Sequence, residues 1–153
     1  DMKEDFVGYN RGRRRRLRQA TEFLRQQLAY RDLFVEMDRA TYETDIRTRL
    51  AVERWVENLV NASIDAAKIL VAAHDIRVLQ TYRGTLEALG RIPGFEYETA
   101  DKLGEYARLR NVLAREYLDV KYDQIRQFLD SAYGTFERYI DFLSLEMRDG
   151  ADD

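Results

Sequence analysis

The scarcity of helix-breaking residues most constrains how this 153-residue chain can fold. It contains one proline and eight glycines, so few positions force the backbone to turn. Apolar residues recur at spacings of three and four along most of the chain, which is the period of an amphipathic helix. We therefore predict an all-α, mostly antiparallel bundle of four long helices and one short helix. We expect one domain over residues 1–153, with residues 1 to about 10 flexible.

The same periodicity gives approximate helix boundaries. We predict helices over residues 11–37, 46 to about 72, 81–89, 98–117 and 122–147. A polar break from Asp38 to Asp45 separates the first two helices. Gly90 is a suitable left-handed cap for the short helix, Ile92-Pro93-Gly94 makes the turn after it, and the chain turns again around Asp119.

Composition excludes several classes of protein. The chain has no cysteine, which excludes disulfides, thiolate zinc sites and a cysteine nucleophile. No apolar run approaches the ~20 residues of a membrane span. The net charge of −3 gives no overall attraction to nucleic acid. These features suit a soluble, cytoplasmic protein.

Charge is nevertheless unevenly distributed, because six arginines near the start have no acid among them. They are Arg11, Arg13, Arg14, Arg15, Arg16 and Arg18. Three interpretations are open: a patch that binds nucleic-acid phosphates, a solvated helix start, or a contact with an acidic partner. Positive charge in the first turns opposes the helix dipole, so we also expect local fraying.

Other candidate residues give weaker signals. His74 is the only histidine, and we expect it to cap or follow a helix end. No metal-ligand pattern with a histidine is formed by Glu53, Glu57 and Asp65, so we predict no metal site. Five aromatic residues have the spacing of core or interface positions: Trp55, Tyr82, Tyr106, Tyr133 and Tyr139.

Arg110 is unusual because it interrupts the apolar stripe of the predicted fourth helix. Arg110, Ala114 and Tyr117 lie at i, i+4 and i+7, which places them on one helix face. A buried arginine needs a partner, since an unpaired buried charge costs several kcal/mol. That partner is either an acid of this protein or a bound phosphate, and Tyr117 adds a hydroxyl group on the same face.

The run from Leu109 to Val120, LRNVLAREYLDV, resembles the signature of HepT-like toxins in the HEPN superfamily of helical RNases. That signature reads Arg-Asn, three further residues, His, one residue and Tyr. Segments 51–68 and 81–90 are also similar to segments of the family, and the resemblance covers about residues 15 to 145.

The resemblance implies a homodimer whose facing motifs form a composite cleft that cleaves RNA without metal or cofactor. Arg110 and Asn111 would contact an RNA phosphate, and Tyr117 would belong to the catalytic site. It also implies a partner antitoxin of the minimal nucleotidyltransferase type, which adenylylates the motif tyrosine, here Tyr117.

The chain departs from the signature at the histidine position, which is Arg115. Arginine stays protonated near neutral pH, so it cannot act as a general base, although it can still bind phosphate. We therefore expect a catalytically disabled RNase site. Two origins remain open: a substitution made to protect an expression host, or a natural member that lost catalysis and kept binding.

Two other functions remain open. The chain could be a non-enzymatic helical dimer that binds RNA or a partner protein. It could also be a purely structural bundle, in which case Arg110 would form an internal salt bridge.

Overall fold

All regular structure in the computed structural model, which describes residues 9–78 and 80–151, is helical. The predicted all-α fold class is confirmed for this part of the chain. Residues 1–8, most of the segment predicted to be flexible, lie outside the described residues. The α-helices are α1 Arg11–Ala29, α2 Arg39–Thr44, α3 Ile46–Ala73, α4 Tyr82–Glu87, α5 Tyr97–Ala107, α6 Leu109–Arg115 and α7 Leu118–Ala151. Two short 3₁₀ helices, Tyr30–Leu33 and Ala88–Arg91, extend α1 and α4.

The three longest helices, α1, α3 and α7, frame the bundle. Tyr9, just before α1, bonds Glu146 of α7, whereas Arg31, just after α1, donates to the Leu129 carbonyl, so these helices are antiparallel. Residue numbers rise in the same direction along the contacts between α3 and α7. Tyr139 donates to the Ser63 carbonyl at 2.8 Å, and further along both helices Glu146 contacts His74. The helices α3 and α7 are therefore parallel. The prediction of a mostly antiparallel bundle does not say which helices would be parallel.

The core lies where these helices meet. Trp55 of α3 is 3% exposed and its ring centroid lies 5.3 Å from that of Phe34 and 5.6 Å from that of Phe128. Its indole N–H donates to the carbonyl of Gln27 in α1 at 2.5 Å. Four small residues of α3, Ala62, Ser63, Ala66 and Ala67, are buried as well, which allows neighbouring helices to approach closely. Trp55 thus joins α1, α3 and α7 at one point.

Several predicted boundaries need correction. The first helix ends at Ala29 rather than Met37, and the polar break contains the short helix α2, which Asp38 caps. The chain turns at Glu116 and Tyr117 rather than around Asp119, because α7 already begins at Leu118. An acid in the first turn favours a helix start, so Asp119 signals the beginning of α7.

Predictions at the ends of three helices can also be compared with the structure. Gly90 lies within a 3₁₀ helix, whereas Gly94 has the positive φ of 87°. The helix α1 begins at Arg11, where Asn10 accepts a hydrogen bond from the Arg13 N–H at 2.8 Å; fraying of its first turns stays a prediction. His74 is the C-cap of α3, as predicted. None of the helices in the described ranges is both long and apolar enough to span a lipid bilayer.

Candidate functional site

The motif lies on a short helix with a backbone break at each end. The predicted fourth helix is divided at Arg108 into α5 and α6. The seven-residue helix α6 then ends at Arg115, and Glu116 is extended with φ −87° and ψ 164°. Tyr117 therefore lies between two helices. The prediction that Arg110, Ala114 and Tyr117 share one helix face is wrong for Tyr117.

Arg110 lies against an aromatic ring. Its guanidinium carbon is 4.6 Å from the ring centroid of Tyr82, the first residue of α4. In the described part of the chain, no carboxylate forms an ion pair with Arg110. A guanidinium over a ring face is a cation–π contact, which leaves the N–H groups at its edge able to donate.

Tyr82 reaches Arg110 because α4 packs very closely against α5. A Cβ added at Gly104 of α5 would lie 2.9 Å from the Glu87 Cγ and 3.6 Å from the Arg83 Cγ, so any larger residue would have to displace the Glu87 side chain. Thr81 fixes the start of α4, since its hydroxyl oxygen accepts from the Gly84 N–H at 2.9 Å.

Arg110 and Tyr82 line a cleft of about 830 Å³ between α3, α4 and α6. Three lining cations, Arg83, Arg108 and Arg110, face one acid, Glu57. The remaining lining residues are Asn61, Gln80, Thr81, Ala107, Asn111 and Ala114. This volume suits a small ligand or one nucleotide, and the excess of positive charge together with several amides favours a phosphate-bearing ligand.

The cleft includes only part of the predicted site. Arg110 and Asn111 line it, whereas Arg115 and Tyr117 do not. Tyr117 is 85% exposed, and Arg115 is exposed at the end of α6. Because α6 is regular up to Arg115, Arg110 and Arg115 project about 140° apart around its axis. One copy of the chain therefore does not bring these two side chains together.

A protein-family model described as Ribonuclease HepT-like matches residues 16–143. The match covers most of the chain and includes all of α6. The chain belongs to the HepT-like ribonuclease family. A search of curated proteins finds no match. The extent agrees closely with the resemblance over residues 15 to 145 that the sequence predicts.

Outside the cleft, other predicted candidates of this HepT-like chain have structural partners. The His74 Nε2 lies 2.6 Å from the Glu146 Oε1, which also accepts from the Tyr9 hydroxyl at 3.1 Å. Trp55, Tyr106 and Tyr139 are core residues, while Tyr133 is 47% exposed.

Glu53 accepts from the Tyr42 hydroxyl and meets Lys121. Among the described residues, no three acidic or histidine side chains are grouped as a metal site requires.

The sequence did not predict two features of this cleft. Tyr82 was assigned to the core or an interface, yet it is 49% exposed and forms a wall of the cleft. The residues Glu57 and Asn61 of α3 also line it. No local signal identifies these three residues, because their position depends on how α3 and α4 pack against α6.

Proposed function

We propose that this chain is the HepT-like toxin subunit of a toxin–antitoxin pair, with an RNA-phosphate site that Arg115 leaves without a general base. The observation that carries the proposal is Arg110, held over the Tyr82 ring at the wall of an open, cationic cleft. Membership of a ribonuclease family supports RNA as the ligand of that cleft.

The chemistry of RNA cleavage explains what each residue would do. The ribose 2′-oxygen loses its proton and attacks the adjacent phosphorus, the bond to the 5′-oxygen breaks, the 5′-oxygen takes up a proton and leaves as a hydroxyl, and a 2′,3′-cyclic phosphate remains. Arg110 and Asn111 would hold the phosphate and offset the charge that develops on it. A base must remove the 2′-hydroxyl proton, and histidine is the side chain suited to this near neutral pH. Arg115 cannot replace it.

The angular separation within α6 supports a dimeric site. Since Arg110 and position 115 of one copy project about 140° apart, a second copy is the simplest way to bring position 115 to the Arg110 cleft. We therefore propose a symmetric homodimer in which the two α6 helices face each other.

The position of Tyr117 supports regulation by an antitoxin of the minimal nucleotidyltransferase type. Its side chain is 85% exposed in an extended segment, so another enzyme can reach the hydroxyl without unfolding a helix. Transfer of AMP from ATP would add a negative phosphate close to Arg115 in sequence and release pyrophosphate. In the dimer, this phosphate would compete with RNA for the motif arginines.

Arg115→His tests the proposed site directly. We expect the variant to cleave RNA in the presence of EDTA, to leave 2′,3′-cyclic phosphate ends, and to inhibit growth of the expression host. General-base catalysis contributes about 10²–10⁴-fold, so a gel assay with labelled RNA would detect the gain. Arg110→Ala in the same background should abolish cleavage and toxicity.

Arg18→His is the matched control, because Arg18 is an exposed arginine on α1 that does not line the cleft. It should remain inactive. A folded Arg115→His dimer that cleaves no RNA and harms no host would reject the site assignment. The non-enzymatic dimer that binds RNA or a partner protein would then be the better description.

A further inference from the structure

A second groove, of about 770 Å³, lies between α1 and α3. It borders the motif cleft, because Asn61 lines both. A second connection runs through Lys68, which lines the groove and whose Nζ lies 5.6 Å from the Tyr82 ring centroid. The Tyr82 ring thus contacts both Lys68 of the groove and Arg110 of the cleft.

The groove uses only some of the six clustered arginines. Arg13 and Arg16 line it, together with Lys68. Arg18 comes two residues after Arg16, which is about 200° around the helix axis, and it does not line the groove. The helix therefore divides the cluster into a face that borders the groove and a face that does not.

The other lining residues suit nucleic acid with unpaired bases. Phe23 is 39% exposed in the groove, and Tyr82 is 49% exposed in the neighbouring cleft, within 5.6 Å of the groove residue Lys68. Exposed rings provide surfaces on which single-stranded bases stack. Amide groups that can bond to base edges come from Gln19, Asn58 and Asn61. The lining positions of α3 extend from Asn58 to Ala72, a rise of roughly 21 Å, which is longer than a single nucleotide.

We propose that this groove binds the single-stranded RNA segment that flanks the phosphate held at Arg110. Arg16 and Lys68 contact backbone phosphates, and Phe23 stacks on a base. The inference rests on the proposed function, since it takes the RNA strand to continue from the motif cleft through Asn61 and Tyr82.

One acid in the groove provides a test of opposite sign. Asp65 is exposed and lines the groove between the turns of α3 that carry Asn61 and Lys68. Its negative charge repels phosphate. If RNA binds in the groove, Asp65→Asn should therefore increase the affinity for RNA. If RNA does not bind there, the affinity should not change.

Binding of a fluorescently labelled, unpaired RNA of about eight nucleotides tests the proposal by anisotropy, without requiring cleavage. We expect Arg16→Gln and Lys68→Gln each to weaken binding and to lower the slope of log affinity against log salt by about 0.7. Phe23→Ala should weaken it about five-fold or more, as for loss of one stacked base. The matched controls are Arg18→Gln and Lys102→Gln. Lys102 lies on α5, 3.8 Å from a Glu105 carboxylate oxygen, and lines neither the groove nor the cleft. Both variants should bind like the unmodified protein.

Arg110→Gln separates this inference from the proposed function. If Arg110→Gln weakens RNA binding while Arg16→Gln and Lys68→Gln do not, the motif site stands and the groove proposal is overturned. If only the groove variants weaken binding, the groove holds RNA and the role of Arg110 is overturned. Equal competition by an RNA duplex would overturn the single-stranded specificity, and absence of binding by the unmodified protein would overturn both proposals.

Discussion

The partner of Arg110 determines what that arginine can still bind. A carboxylate would neutralise its charge, whereas the Tyr82 ring holds the guanidinium at 4.6 Å without adding a formal charge. A cation–π contact at an exposed site contributes about 0.5–1 kcal/mol, while a hydrogen bond to a charged group contributes about 1.5–3 kcal/mol. The ring therefore positions Arg110, and a phosphate at its free edge would bind it more strongly than the ring does.

Tyr117 gives the residue-scale prediction. Incubation with a cognate minimal nucleotidyltransferase, ATP and magnesium should add the mass of AMP to the intact protein, because this hydroxyl is 85% exposed. Peptide mass spectrometry should place the modification at Tyr117, and Tyr117→Phe should prevent it. Tyr97→Phe is the matched control, since Tyr97 is a similarly exposed tyrosine, at 71%, on α5. Modification that persists in Tyr117→Phe would place the acceptor elsewhere.

At the scale of the element, the sequence predicts the presence of a helix more accurately than the positions of its ends. Apolar spacing located the main helical segments, since each must bury one face. The break at Arg108 has no glycine or proline and lies within a stripe that continues from Ala107 to Ala114, so periodicity gives no sign of it. The candidate site shows a similar limit. The motif predicts Arg110 and Asn111, which line the cleft. Tyr82 belongs to another helix and reaches Arg110 only through tertiary packing, so the motif does not predict it.

One hydrogen-bonded cluster connects three helices, and it gives the element-scale prediction. Tyr42 of α2 donates to the Glu53 carboxylate of α3 at 2.6 Å, and Lys121 of α7 lies 3.6 Å from the other Glu53 oxygen. Tyr42→Phe removes a hydrogen bond to a charged group, so we expect a loss of about 1.5–3 kcal/mol in the free energy of unfolding. Urea denaturation measures it. Tyr30→Phe, at a 49% exposed ring, should cost little, and equal effects of the two substitutions would contradict the assignment.

The same hydroxyl makes stability depend on alkaline pH. Burial, followed by the hydrogen bond to Glu53, raises the pKa of Tyr42 above its ordinary value of 10.0. The unfolded chain loses this proton near pH 10, whereas the folded chain retains it, so folding becomes less favourable as pH rises further. Below about pH 10 the contribution is complete. Tyr42→Phe should therefore show a shallower alkaline loss of stability. An unchanged pH profile would argue against it.

At the scale of the whole molecule, the proposed dimer can be tested with an introduced thiol, because the chain has no cysteine. Ala114 is exposed on α6, and equivalent residues near a two-fold axis approach each other. We expect Ala114→Cys to form a disulfide-linked dimer on mild oxidation, visible on a non-reducing gel. Arg18→Cys, on α1, should not. A monomer by light scattering at micromolar concentration, or cross-linking only at the control position, would contradict the proposed symmetry.

The burial of the single tryptophan has a consequence for spectroscopy. Trp55 is 3% exposed and touches the rings of Phe34 and Phe128, so all indole emission from the protein originates at one apolar junction of α1, α3 and α7. Emission at short wavelength therefore reports that these helices are docked, and a shift to longer wavelength reports that water has reached the junction. Every variant that replaces a residue of the motif can be compared with the parent protein by this intrinsic signal, without adding a label.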